Sequence, residues 1–85
     1  MTTWREQISR AMEANKDSWQ DVEANTLAKQ QETTLFDDGF GCVEGVPFTL
    51  WTKNFVYFPV VYDGAEWVGS VPRNPNGVAT PHVGG

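Results

Sequence analysis

The sequence predicts an α+β fold, with two short N-terminal helices packed on a three- to four-stranded antiparallel β-meander. Two observations lead to this prediction. The early part of the chain shows helical spacing of apolar residues, whereas residues 48–71 are aromatic and β-branched with turn signals between them. A chain of 85 residues has room for one domain. We therefore expect a single domain over residues 1–71 and a Pro/Gly-rich turn and tail over residues 72–85.

A first helix is predicted over residues 4–14. Thr3 and Glu6 have the spacing of a capping box, in which the threonine hydroxyl accepts from a first-turn amide and the glutamate reaches back. The apolar residues that follow share one helical face: Trp4, Ile8, Ala11 and Met12. Asn15 and Lys16 are residues at which such a helix can end.

The next segment gives a second helix signal and then a mixed one. Ser18 resembles a second N-cap and predicts a short helix over residues 19–25, with Trp19 and Val22 facing inward. Residues 28–31 favour a helix, while residues 33–36 favour a strand. We expect a short helix or turn that leads into a first strand at residues 33–37.

The clearest local signal in the chain is Asp63-Gly64, which is typical of a type I′ turn between antiparallel strands. It predicts a hairpin of residues 55–62 and 65–71, with an earlier strand at residues 48–52 joined through Lys53-Asn54.

A two-residue turn also determines the register of the hairpin. Tyr62 then lies opposite Ala65 and Val60 opposite Trp67, on a face that is wholly apolar and that Trp51 would join. The opposite face also carries apolar residues, and two short helices can cover only one of them. An exposed apolar face of this kind usually marks a partner site.

Pro59 leaves two arrangements of this sheet open. A proline inside a central strand removes a ladder hydrogen bond, so we expect a bulge or bend near Phe58-Pro59. If the bend curls the sheet, its two faces merge into one core. If it does not, one aromatic face remains available to a partner.

Charge is unevenly distributed along the chain. Eight of the eleven acidic residues precede residue 39, and the formal net charge is −5. This balance argues against direct binding of nucleic acid or of a membrane surface, because both need clustered basic residues. Asp37, Asp38 and Glu44 flank a Gly-rich loop, but they lack the alternation of a calcium loop, and an Asx turn is the expected role of Asp-Asp-Gly.

The residues that could support catalysis are few. The one cysteine, Cys42, lies in the Gly-rich loop, and the one histidine, His82, lies in the predicted tail. Two soft ligands cannot complete a zinc tetrahedron, and a tail is a poor frame for a Cys–His pair. We expect no enzyme, no cofactor and no metal. The single cysteine and the charged N-terminus indicate a cytoplasmic location.

Three segments, residues 1–6, 47–52 and 56–75, resemble short uncharacterised proteins encoded by bacteriophages and prophages. The resemblance implies a context and no site residues, since this group has no agreed fold or catalytic motif. Small accessory phage proteins commonly bind and redirect host proteins. The resemblance therefore implies a protein-interaction module that acts in the bacterial cytoplasm.

The predicted function is thus a non-enzymatic module that binds a host protein. Its partner-binding residues are predicted to be Trp51, Tyr62 and Trp67 on the sheet, with Asp37, Asp38 and Glu44 in the loop. A second copy of the chain is an alternative occupant of the aromatic face. Two other functions stay open: an acidic mimic of nucleic acid that inhibits a host defence or DNA-processing enzyme, and a small metal-dependent hydrolase.

Overall fold

The computed structural model describes residues 1–39 and 43–84. Over these residues the fold is α+β, which confirms the predicted class. The helices are α1 (Trp4–Ala14) and α2 (Lys29–Thr33), with a 3-10 turn at Trp19–Asp21. The strands are β1 (Val22–Asn25), β2 (Leu50–Thr52), β3 (Phe55–Tyr62) and β4 (Ala65–Pro72). They form one antiparallel sheet in the order β1-β2-β3-β4.

Helix α1 begins at Trp4 as predicted, but only half of the predicted capping box forms, because the Glu6 carboxylate pairs with Arg10 instead of reaching back to Thr3. The Thr3 hydroxyl accepts from the Glu6 amide at 3.1 Å. The Glu6 carboxylate accepts from Arg10 at 2.7 Å, one turn later. Three apolar residues of the predicted face, Trp4, Ile8 and Met12, are at most 2% exposed. This face forms the centre of the hydrophobic core.

The end of α1 is a Schellman motif without its usual glycine. The Asp17 amide donates to the Met12 carbonyl at 2.8 Å, and the Lys16 amide donates to the Glu13 carbonyl at 3.2 Å. Lys16 has a φ of 56°, in the left-handed region that side chains with a Cβ disfavour. The motif turns the chain back toward the sheet directly after the helix.

The predicted helix over residues 19–25 is wrong. The Ser18 side chain makes no capping hydrogen bond, and the helical segment ends at Asp21 after a single 3-10 turn. Residues 22–25 form β1 instead, with Ala24 opposite Trp51 and a bulge between Val22 and Ala24. Pairing with β2 outweighs the weak local helix signal, and it supplies the fourth strand of the meander.

Trp19 and Val22 nevertheless face inward, as predicted, and both pack against the core. The Trp19 indole Nε1 donates to the Ser9 hydroxyl at 3.0 Å. The Arg5 guanidinium carbon lies 3.9 Å from the centre of the Trp19 ring, a cation–π contact. These contacts attach the 3-10 turn to the side of α1.

The predicted strand at residues 33–37 is also wrong, although the short helix before it is confirmed as α2. Within this segment only Phe36 pairs in β fashion, through an isolated bridge with Thr2. Each of these two residues donates its amide to the other's carbonyl at 2.9 Å. The Phe36 ring is buried 4.7 Å from the Trp4 ring, so the segment closes over the core instead of extending the sheet.

The hairpin register is confirmed throughout. Tyr62 pairs with Ala65, and the ladder continues without a shift to Phe55 and Pro72. Asp63 and Gly64 have φ values of 51° and 82°, as a type I′ turn requires. The Lys53-Asn54 connection is also a two-residue loop, because Trp51 pairs with Val56.

The expected bend at Pro59 is wrong, because Pro59 pairs with Val68 in an unbroken ladder. In a hairpin with a two-residue turn, every second residue pair is hydrogen-bonded, starting with Tyr62 and Ala65. Pro59 belongs to a pair that is not hydrogen-bonded, so its nitrogen is directed away from β4. On that side β2 pairs with β3 only as far as Tyr57. Pro59 therefore occupies a position at which strand pairing needs no backbone N–H. The sheet keeps two separate faces.

One face of the sheet, which we call the helix face, packs against α1. Leu50 and Tyr57, which pair across β2 and β3, are fully buried there in the same cluster as Ile8 and Met12. After β4, residues 73–84 contain no helix or strand and are exposed. Of the described helices, none combines the length and apolarity that a membrane span needs.

Candidate functional site

The second face of the sheet, which we call the open face, is built from alternate residues of all four strands. The ten positions that the strand register of the described residues assigns to it carry no charged side chain. Its members are Ala24 of β1, Trp51 of β2, Val56, Phe58, Val60 and Tyr62 of β3, and Ala65, Trp67, Gly69 and Val71 of β4. The predicted site residues Trp51, Tyr62 and Trp67 thus lie on one face.

Both faces of the sheet carry apolar residues, in contrast to the usual pattern, in which polar residues face solvent. The polar strand residues Thr52, Glu66 and Ser70 alternate onto the helix face. Thr52 is 0% exposed and Glu66 is 4% exposed. Thr52 and Glu66 are thus buried on the helix face, and α1 covers that face but not the open face.

The open-face side chains lie outside the core that the described residues form. Tyr62 is 58% exposed, while Trp51, Trp67 and Val56 are partly buried. Aromatic rings with this partial exposure offer a large apolar area to a partner.

Gly69 determines how the centre of this face is packed. A Cβ at Gly69 would lie 2.7 Å from Cγ2 of Val60 and 2.8 Å from Cε2 of Phe58. The glycine thus lets the Phe58 ring lie flat across β4, where any side chain would displace it. Phe58 and Gly69 thus form the centre of the face, between Trp67 and Val71 along β4.

The predicted acidic residues do not share this face. The Asp38 carbonyl accepts from the Glu66 amide at 3.0 Å, on the outer edge of β4. Glu44 lies beside the same residue, because its amide donates to Glu66 Oε2 at 2.9 Å. The Glu66 side chain is on the helix face, so the sheet separates these acids from Trp51 and Trp67.

Asp37 and Asp38 also have local partners. Asp37 Oδ1 accepts from the Gly39 amide at 2.9 Å, which is the expected Asx turn. Asp38 accepts from the Gln7 amide group at 3.1 Å and lies 3.8 Å from the N-terminal ammonium. Asp38 therefore serves to attach the loop to α1, while Asp37 and Glu44 are exposed.

Glu66 is a residue that sequence reasoning missed. Its buried carboxylate accepts from the amides of Glu44 and Gly45, at 2.9 and 3.1 Å. Its assignment to the helix face was available from the hairpin register, but the loop amides that surround it were not. A cleft of about 160 Å³ lies beside it, lined by Val43, Pro47, Pro59 and Val61 among others.

A second buried polar group lies at the opposite end of the helix face. Asp17 Oδ2 accepts from the Thr52 hydroxyl at 2.6 Å and from the Tyr57 hydroxyl at 2.8 Å. The Asn15 amide donates to Ser70 Oγ at 3.0 Å and to Tyr57 Oη at 3.3 Å. Burial, and then the Asp17 carboxylate, raise the pKa of the Tyr57 phenol.

The residues considered for catalysis and metal binding are placed as follows. Cys42 lies outside the described residues, and His82 is in the exposed tail. Among residues 1–39 and 43–84, no group of three His, Asp or Glu side chains is placed to hold a metal ion. The open face therefore remains the best-formed candidate site in the described part of the chain.

Comparisons with known proteins add no relative. No model of a protein family matches the chain, and neither the curated proteins nor the solved structures compared with it gave a match. The resemblance to short phage and prophage proteins thus stays a prediction.

Proposed function

We propose that this chain is a protein-interaction module that binds a partner protein through the open face of its sheet. The observation that carries the proposal is a second, uncharged and largely apolar face of the sheet, opposite the face that α1 covers. Ten aligned positions on four strands are uncharged, while Thr52, Glu66 and Ser70 are directed to the helix side. A face of this composition is stabilised when a partner removes it from water.

The residue types on the face support a protein partner. Tryptophan and tyrosine dominate the binding energy of many protein interfaces, and Trp51, Trp67 and Tyr62 provide three such residues. Stacking of nucleic-acid bases would need a basic groove beside them. The basic residues nearest in sequence are Lys53 and Arg73, and Arg73 is already paired with Glu23.

The context of the proposal comes from the resemblance to short phage and prophage proteins. In that context the partner is a protein of the bacterial host, and the chain acts by occupying a surface of it. The acidic residues Asp37 and Glu44 lie at a different edge of the molecule from the open face. They are thus assigned no part in the primary contact.

The alternative of nucleic-acid mimicry gains no support from the arrangement of carboxylates. Mimicry needs a dense, ordered and unpaired acidic surface. Here Glu6, Glu23 and Glu32 are paired with arginines, and Glu66 is buried. No observation favours a hydrolase, so the binding module is the function proposed.

The proposal is tested by capture from a bacterial lysate with the tagged chain and two open-face variants, Tyr62→Ser and Trp67→Ser. We expect a captured protein whose yield falls at least tenfold with each variant. The matched control is Leu35→Ser, because Leu35 is an apolar side chain, 62% exposed, that lies outside the sheet. Circular dichroism checks that the fold is retained, and Tyr62→Ser keeps the test valid if Trp67→Ser unfolds.

Two results would overturn the proposal. One is that Tyr62→Ser and Leu35→Ser reduce the yield of captured protein equally, or that the yield of no captured protein depends on the open face. The other is a concentration-dependent dimer, measured by light scattering, that the same open-face variants abolish. That outcome would assign the face to a second copy of the chain and not to a foreign protein.

A further inference from the structure

The second half of β3 has an edge that no described strand pairs with. Strand β2 pairs with β3 only at Tyr57 and Val56, whereas β3 continues to Tyr62. The alternation of the hairpin ladder directs the backbone carbonyl of Val61 toward this side. Pro59 contributes no N–H there, so the edge is a short apolar notch formed by residues 58–61.

The C-terminal segment already lies against this notch. Val83 and Gly84 line a cavity of about 300 Å³ together with Phe58, Pro59, Val60 and Val61. A Cβ at Gly84 would lie 3.5 Å from the Val61 carbonyl oxygen and 3.7 Å from Cγ1 of Val60. The chain thus returns from the far end of β4 to the unpaired end of β3.

The low exposure of Val60 indicates that other residues cover its side chain at the notch. Val60 is 6% exposed, although Tyr62 on the same face and strand is 58% exposed. Phe58 lies beside Val60 next to Gly69, and Gly84 is close to Val60 Cγ1 on the side of the cavity. The notch is therefore the part of the open face that this chain covers with its own residues.

Few contacts hold residues 79–84 against the notch. Among hydrogen bonds between described residues, residues 79–84 take part in none. Val83 is 53% exposed and Val78 is 72% exposed, so little apolar area anchors the segment. A segment with so few contacts is released at small free-energy cost.

We propose that residues 78–84 form a releasable strap that occupies the β3 notch and competes with an extended peptide segment of a partner for it. This inference rests on the proposed function, because it states how access to the open face is controlled. Addition of a strand to an unpaired sheet edge is a common way to bind a peptide. The strap also shields the edge from pairing with other chains while no partner is bound.

The test uses the full chain with Val83→Asp, which places a charge against the notch. The matched control is Val78→Asp, which adds the same charge in the same segment at a position that does not line the notch. We expect Val83→Asp to shift the Val60 methyl resonances and the Val61 backbone carbonyl resonance. Val78→Asp should change neither.

The second arm of the test adds the strap as a separate molecule. A synthetic peptide with the sequence of residues 78–84 should perturb Val60 and Val61 of the Val83→Asp chain at a concentration at least fivefold lower than for the unmodified chain. A peptide that carries the same Val83→Asp change should not bind. Because the altered residue is exposed, thermal unfolding should be unchanged.

The proposal is overturned if Val83→Asp and Val78→Asp affect Val60 equally or not at all. It is also overturned if the peptide fails to reach Val60 in the Val83→Asp chain. These readouts need no partner. If the strap test fails but capture of a partner still depends on Tyr62, the proposed function stands. If the strap test succeeds but no capture depends on Tyr62, only the proposed function is contradicted.

Discussion

The Tyr57 hydroxyl donates a 2.8 Å hydrogen bond to Oδ2 of Asp17 and so connects the middle of β3 to the turn after α1. The same carboxylate oxygen accepts from Thr52 of β2 at 2.6 Å. One aspartate thereby fixes the position of the helix end relative to two strands. Tyr57 and Thr52 are both 0% exposed, so the two hydroxyls that donate to the half-buried Asp17 are themselves shielded from water.

Stability should fall at alkaline pH because of Tyr57. Burial raises the pKa of its phenol in the folded chain above the ordinary value of 10.0. Above that pH the unfolded chain loses the proton while the folded chain keeps it. The free energy of unfolding should thus decrease by about 1.4 kcal/mol per pH unit above about pH 10.

Urea unfolding at pH 7–11.5 measures this effect. Tyr57→Phe removes the phenol and should flatten the alkaline part of the profile, while Tyr62→Phe, at an exposed tyrosine, should leave it as in the unmodified chain. An alkaline slope that Tyr57→Phe does not reduce would contradict the prediction.

Gly45→Ala should destabilise the fold by about 1–3 kcal/mol, as overpacking of a filled site does. A Cβ at Gly45 would lie 2.5 Å from Cζ2 of Trp4. Trp4 is 1% exposed and its Nε1 donates to the Val46 carbonyl at 2.9 Å, so a shift of the ring would disturb this hydrogen bond. Chemical denaturation gives the difference.

The control for Gly45→Ala is Gly39→Ala. Among the described residues a Cβ there would meet only Asp37 Oδ1, at 3.2 Å, and that exposed carboxylate can shift. We expect a change below about 0.5 kcal/mol. Equal losses for the two variants would show that Trp4 is not the cause.

Glu66→Ala should cost about 1–3 kcal/mol, because it leaves the Glu44 and Gly45 amides without their acceptor. Glu66→Gln keeps one oxygen and should cost less. Glu13→Gln, at an exposed glutamate, is the matched control and should be neutral. The midpoints of urea unfolding rank the three variants. If Glu66→Ala destabilises the chain no more than Glu13→Gln does, the role of the Glu66 carboxylate is refuted.

Lys16→Gly should stabilise the chain by about 0.5–1 kcal/mol, because glycine adopts the left-handed conformation of this position without strain. Lys16→Ala keeps a Cβ at the same φ of 56° and should bring no such gain. Thermal unfolding distinguishes the two variants. If both raise the midpoint equally, loss of the lysine charge and not relief of strain is responsible.

The elements predicted correctly from the sequence have strong local causes. Thr3 caps α1, the apolar spacing after it selects the buried face, and Asp63-Gly64 forces a tight hairpin whose register follows from the turn. Those causes act within a few residues of each other. They also placed Trp51, Tyr62 and Trp67 on one face before any long-range contact was known.

The errors fall where local preferences are weak. Residues 22–25 join the sheet because β2 offers them a partner, and Phe36 is directed into the core by its bridge to Thr2. Pro59 needs no bend because β2 ends before reaching it. Each of these outcomes depends on a residue far away in the chain, so no local pattern could have indicated it.

The sequence by itself determined the α+β class, the first helix and an apolar hairpin with a defined register. These follow from capping, periodicity and turn geometry, which are short-range properties. Only the tertiary structure decided that α1 covers the face of Tyr57, that Glu66 organises the acidic loop, and that Val83 and Gly84 reach the β3 notch. Those arrangements depend on which surfaces meet when the whole chain minimises its exposed apolar area and pairs its buried polar groups.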